Sequence, residues 1–340
     1  MPASPPALQW PRNIENIMSL ESILELHRGG ALIAAETQYR DYLTTHPDDG
    51  DALHLLGVLR QQRGDHAEAA ELIRRALAIA PDHAPFHLSL GGVLLQTADE
   101  ADARAQFERA IELDPNLVEA HALVGHLHLR AGEVEAAESR FRIGRRADDE
   151  DPMILFGLGN VYLSRGDAAN ATKFLTRAAE GKPDDAAIQL SLGRALFEQG
   201  AFGFAEQAFD NAVRLRPDYS LARLFLARAR LRQDKLDAAR EGFAALAAEN
   251  QQAFGANAGL GDVARKKDQA VRALKYYRRA LQFDPAHAGA LHACAWCMER
   301  MGDLAAPDAI ELQQPLAELL TRLGHEDEAR QVRDAIAAHR

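Results

Sequence analysis

The sequence predicts an all-α fold, a solenoid of stacked helical hairpins, and three observations carry that prediction. The first is a fixed period: Pro81 advances by 34 residues to Pro115, then to Asp149, Pro183, Pro217, Gln251 and Pro285. The second is the content of the period. The Gly57 column continues as Gly91, Gly125, Gly159, Gly193, Ala227, Gly261 and Ala295, and the Ala69 column holds alanine from Ala35 through Ala273. The third is punctuation: Gly64-Asp65 and Pro81-Asp82 cut the stretch Asp51–Asp82 into two segments of helical periodicity. A short unit repeated in this way buries its apolar face against its neighbours, which makes a continuous array.

The elements follow in order. The first repeat, Asn16–Asp49, has Gly30, Ala35, Tyr39 and Pro47 in register. In the second, Leu53, Leu56 and Leu59 lie at helical spacing before Gly64, which tolerates the left-handed turn, and Asp65, which can cap the next helix. That next helix is expected from about His66 to Ala80, with Ala69, Ala70, Ile73, Ala76 and Leu77 on one stripe. Pro81 ends it by removing a backbone donor. The third repeat has Ala98 where the turn glycine belongs. The fourth is marked by Gly125, Gly132, Ala137 and Phe141 and ends in the acidic loop Asp148–Pro152. Gly159, Gly166 and Ala171, then Gly193, Gly200, Ala205 and Phe209, mark the fifth and sixth. The seventh and eighth are degenerate, with Ala227 for the helix glycine and Gln251 for the closing proline. After Gly302 the phase breaks, and Ile310–Leu323 with Glu326–Ala338 read as a polar hairpin closing the array. The expected organisation is a disordered Pro-rich leader at 1–15, an array at 16–302 and a capping hairpin at 303–340.

Period and residues together resemble the tetratricopeptide repeat superfamily over about residues 16–302. The resemblance implies a right-handed superhelix whose first helices line a concave face. One column departs from the family: its early large aromatic is absent, and Leu53, His87, His121, Leu155, Gln189, Arg223, Asn257 and Leu291 stand there. Two family devices are missing. The carboxylate clamp for C-terminal peptides has no Lys/Asn set, as pairs such as His54/Val58 and Phe156/Asn160 show. The asparagine ladder of sugar-transferring members is replaced by Leu55, Ser89, Leu123, Gly157, Ser191, Phe225, Gly259 and Ala293.

Composition narrows the partner. Net charge is −11, carried by residues 1–170 with 27 acidic and 15 basic side chains, against 23 and 24 in residues 171–340. A nucleic-acid binder would be more basic. No apolar run reaches membrane-spanning length, and residues 1–17 lack a signal-peptide pattern, so the expected setting is cytoplasmic, without membrane insertion. Arginine far exceeds lysine, 33 to 6, a bacterial-style composition.

Carried across the repeats, the resemblance assigns partner-binding positions to Phe156, Asn160, Leu190, Arg194, Phe197 and Leu224, and further along to Arg228, Arg232, Arg265 and Trp296. The basic part, with Lys266, suits acidic groups because an arginine fork grips a carboxylate with two bonds. Phe156, Leu190 and Phe197 suit apolar anchors.

No catalytic constellation or cofactor motif is present: no phosphate-binding loop, no nucleophile elbow and no H-E-x-x-H. Cys294 and Cys297 form a lone C-x-x-C in a core column, which reads as small apolar packing. His121, His126 and His128 do not share one face, so no metal is expected there. The function implied is a non-catalytic protein–protein interaction scaffold or adaptor that takes a peptide or protein segment with acidic and apolar residues. The alternative is a substrate-recruiting subunit of a separately encoded modifying enzyme, of glycosyltransferase, sulfotransferase or hydroxylase type. Self-association is the third option.

Overall fold

The computed structural model describes residues 19–285 and 287–300, with residues 317, 318, 321, 326, 330, 333 and 334. The leader expected at 1–15 and, apart from those isolated positions, the hairpin expected over 303–340 lie outside the described residues. Among the described residues there are seventeen helices and no strand. They fall into two compact units, one ending at Gly157 and the other beginning at Leu158.

The first unit holds α1 (Leu20–Arg28), α2 (Leu32–Thr45), α3 (Gly50–Gln62), α4 (His66–Ile79), α5 (Ala84–Gln96), α6 (Glu100–Leu113), α7 (Val118–Arg130) and α8 (Val134–Ala147). The division falls inside α9 (Pro152–Ser164). The second holds α10 (Ala168–Gly181), α11 (Ala186–Glu198), α12 (Phe202–Leu215), α13 (Ser220–Arg232), α14 (Leu236–Ala248), α15 (Ala253–Lys266), α16 (Ala270–Leu281) and α17 (Ala288–Arg300). From α1 to α8 each helix packs on the next, and so it does from α10 to α17. Alternate helices also meet: α1 with α3 and α3 with α5 in the first unit, α11 with α13 and α13 with α15 in the second. Each unit is a solenoid of helical hairpins.

The turn between the two helices of each hairpin fixes the period. Gly30, Gly64, Gly132, Gly166 and Gly200 all have φ between +74° and +84°. Where glycine is missing the backbone keeps the same conformation: Ala98, Asp234 and Asp268 stand at φ +61°, +58° and +54°. These eight positions are 34 residues apart. The geometry of the hairpin thus overrides the residue, at the cost of left-handed strain for the three substitutes. Aspartates start the following helices: Asp65 accepts from Glu68 N and Asp185 from Ala187 N and Ile188 N. Asp151, in the acidic loop, accepts from Met153 N and Ile154 N at the start of α9.

A second column fills the core. Tyr39, Ile73, Phe107, Phe141, Leu175, Phe209, Phe243 and Tyr277 recur at the same spacing and are at most 2% exposed. Each presses on a glycine where the facing helix has one. A Cβ added at Gly91 would lie 2.5 Å from the Phe107 ring, and one at Gly193 2.5 Å from the Phe209 ring. Glycine is needed there because the ring takes the space of a side chain. At the seventh repeat, where proline is lost, Asn250 and Gln252 take φ +53° and +46° to turn the chain into α15.

Candidate functional site

Within the second unit, α11 and α13 present basic and aromatic side chains side by side. The Arg194 and Arg228 guanidinium carbons lie 5.9 and 5.4 Å from the Phe225 ring centroid. Arg232 lies 4.3 Å from the Phe202 ring and 5.7 Å from that of Phe197. The rings hold one another: Phe197 meets Phe202 edge-on at 5.1 Å and Phe225 at 6.4 Å, and Phe225 stacks on buried Phe209 at 5.4 Å. Cation–π contacts of this kind contribute about 0.5–2 kcal/mol each.

Helix α13 shows what is distinctive about these arginines. Arg223 donates to both carboxylate oxygens of Glu249 at 2.6 and 2.8 Å, and Arg230 Nε donates to Glu206 at 3.0 Å. Arg228 and Arg232 of the same helix, and Arg194 of α11, make no ion pair among the described residues. Burial pushes the Arg228 guanidinium below its ordinary value, against the opposing charge of Asp262. Three cations therefore lie against aromatic faces without an ion-paired carboxylate; Arg194 and Arg228 are half-buried and Arg232 is exposed.

The remaining sequence-predicted positions divide. Leu190 and Leu224 are each 4% exposed and pack inside core clusters, so the surface beside the arginines is formed by the half-buried rings of Phe197 and Phe225. Arg265 lies 5.8 Å from the Trp296 ring but also 3.6 Å from Asp262 Oδ1, which accepts from Tyr277 Oη at 2.8 Å. Lys266 is paired with Asp234. Arg265 and Lys266 thus have carboxylates within ion-pair distance, which Arg194, Arg228 and Arg232 do not among the described residues. Asn160 is half-buried on α9. Phe156 belongs to the first unit, its ring 5.4 Å from that of His126.

Phe225 is the member that column reading missed. It occupies the ladder column, where attention falls on the absent asparagine, and its two arginines lie three residues along α13 and one hairpin away on α11. The other candidate chemistry is placed separately. Cys294 and Cys297 are 1% and 0% exposed, and burial pushes their thiols up to about 12 and about 11. His121 Nε2 lies 2.9 Å from Pro115 O, His128 pairs with Glu133, and His126 packs on Phe141.

Two family profiles match this chain. One, described as the cilia and flagella-associated protein 70 C-terminal domain, covers residues 25–220; the other, described as tetratricopeptide repeat, covers residues 196–257. No curated protein matches. Among solved structures, the chain is similar to that titled as the APC/C hetero-tetramer Cut9-Hcn1, at TM-score 0.61 and 18% identity over 78% of this chain and 52% of that one. It is similar to a monomeric IFIT1 mutant with Gppp-AAAA at TM-score 0.58 and 14% identity, covering 96% and 83% of the two chains. It is also similar to PilF of Pseudomonas aeruginosa, at TM-score 0.52 and 21% identity over 58% of this chain and 90% of that one. The chain spans about half the length of the first of these. At such identities the likeness is one of fold.

Proposed function

The chain belongs to the tetratricopeptide repeat superfamily, and from that premise we propose that it is a non-catalytic scaffold that holds an acidic, apolar segment of a protein partner on its second unit. The repeat scaffold fits a protein–protein interaction role, and no described helix is long and apolar enough to cross a membrane. The observation that supports the finer reading is the contrast along one helix. Arg223 and Arg230 have carboxylate partners within the chain, whereas Arg228 and Arg232, with Arg194 beside them, do not among the described residues.

The mechanism is selective binding. Acidic side chains of the segment accept the forked N–H groups of Arg194, Arg228 and Arg232, while apolar side chains cover Phe197 and Phe225. A hydrogen bond to a charged group contributes about 1.5–3 kcal/mol, less the entropy of ordering the segment. Because the aromatic faces already orient the guanidinium groups, less of that gain is lost on binding.

The test is capture from native lysate by wild type beside the Arg194→Glu/Arg228→Glu/Arg232→Glu variant. A partner retained by wild type, lost by the variant and accompanied by unchanged melting supports the reading. The same proteins retained by both would make these arginines ordinary surface.

A further inference from the structure

The first unit carries a surface of the opposite character. A cavity of about 450 Å3 is lined by α1, α3 and α5. Its apolar wall is Leu20, Leu24, Leu55 and Phe86. Two imidazoles complete it, with ring centroids 4.7 Å (His54) and 4.0 Å (His83) from that of Phe86. His54 Nε2 lies 2.8 Å from Ser89 Oγ, and burial, with His83 nearby, pushes the His54 imidazole down to about 4. At neutral pH His54 therefore adds no positive charge to the cavity. His83 Nδ1 is buried without a hydrogen-bond partner among the described residues. Exposed Glu21 and Asp51 also line the cavity, and neither makes an ion pair among the described residues.

We propose that this cavity is a second partner-binding site, taking a large apolar side chain presented between basic residues. The volume lies within the range of small-ligand pockets, and the wall is apolar and aromatic. The two unpaired carboxylates select the flanks of the guest. They sit in a stretch of chain, residues 1–170, with 27 acidic against 15 basic side chains, so the longer-range field also favours a cationic segment. The site shares no residue with the arginine cluster of the second unit.

The test uses the full chain and fluorescein-labelled peptides read by anisotropy. The probe is Lys-Lys-Phe-Leu-Lys-Lys, and Ser-Ser-Phe-Leu-Ser-Ser is its neutral counterpart. The lysine probe should bind wild type about fivefold or more tightly than the serine probe, and the preference should shrink in about 0.5 M salt. Leu24→Ala should weaken both probes, and Glu21→Gln/Asp51→Asn should remove the preference. Equal binding of the two probes to wild type overturns the proposal without recourse to any variant. So does a lysine preference that survives Glu21→Gln/Asp51→Asn with melting unchanged.

Discussion

Gly91 and Gly92 are neighbours in α5, and alanine at the two should move stability in opposite directions. A Cβ at Gly91 would lie 2.5, 2.7 and 2.9 Å from three atoms of the Phe107 ring. Carbon pairs rest at about 3.5–4.0 Å, so the overlap is about 1 Å. Phe107 is 0% exposed, which leaves the ring nowhere to retreat. Overpacking of this kind costs about 1–3 kcal/mol, and the helical preference for alanine over glycine returns about 1 kcal/mol. With a ring that cannot move the upper end applies, giving a net loss of about 1–2 kcal/mol. At Gly92 the nearest atom to an added Cβ is Gln61 Nε2 at 3.7 Å, ordinary contact. Only the propensity term remains, a gain of up to about 1 kcal/mol. Urea unfolding followed by helical circular dichroism would order the three proteins Gly92→Ala, wild type, Gly91→Ala. Because both changes sit in one helix, departure of a repeat array from two-state unfolding affects both alike. A Gly91→Ala protein as stable as Gly92→Ala would refute the claim that rings of one helix occupy the glycine column of the other.

Three further outcomes are expected. Ala98→Gly should raise the urea midpoint, since relief of left-handed strain (about 1–2 kcal/mol) exceeds the extra flexibility of glycine in the unfolded chain (about 0.5–1 kcal/mol). Burial alone would raise the Glu36 carboxyl, but the hydrogen bond from Arg40 and the charges of Arg60 and Arg63 outweigh it and hold it below its ordinary value. Such a carboxylate contributes stability above the unfolded value, about 4.3, and that stability is lost as pH falls through the folded one, so acid unfolding should be shallower in Glu36→Gln. Cys294 and Cys297 should react with a thiol reagent at about pH 8 only as fast as α17 opens from α16, and denaturant should release both together.

The sequence revealed the fold because the features that recur are those the hairpin cannot do without. Gly64 permits a left-handed turn, Gly57 clears space for Ile73, and Ala69 is wholly buried in the core, so all three are visible as columns. Ala98 shows the limit: it breaks the glycine column while the backbone keeps the turn, because packing on both sides imposes it. The candidate site was half legible. Arg194 and Arg228 align in register, but no column tells which arginines have carboxylate partners. That is set by side chains far along the chain, as with Arg223 and Glu249 at the two ends of one hairpin, 26 positions apart, or Lys266 and Asp234 in neighbouring hairpins, 32 apart. Burial was equally hidden. Leu190 and Leu224 share the repeat register assigned to the inner face, yet each is buried in a core cluster, with Phe209 and Phe243 respectively.

The most direct test of the central claim places a benzoylphenylalanine photocrosslinker at position 225, between the Arg194 and Arg228 side chains, with position 204, where Phe204 is 67% exposed, as the control. Irradiation in native lysate and mass spectrometry of the adducts would identify what lies against the ring. The account predicts adducts at position 225 on segments carrying both acidic and apolar residues, abolished when Arg194, Arg228 and Arg232 are reversed to glutamate. Adducts confined to position 204, or adducts at position 225 that persist through the reversal, would contradict it.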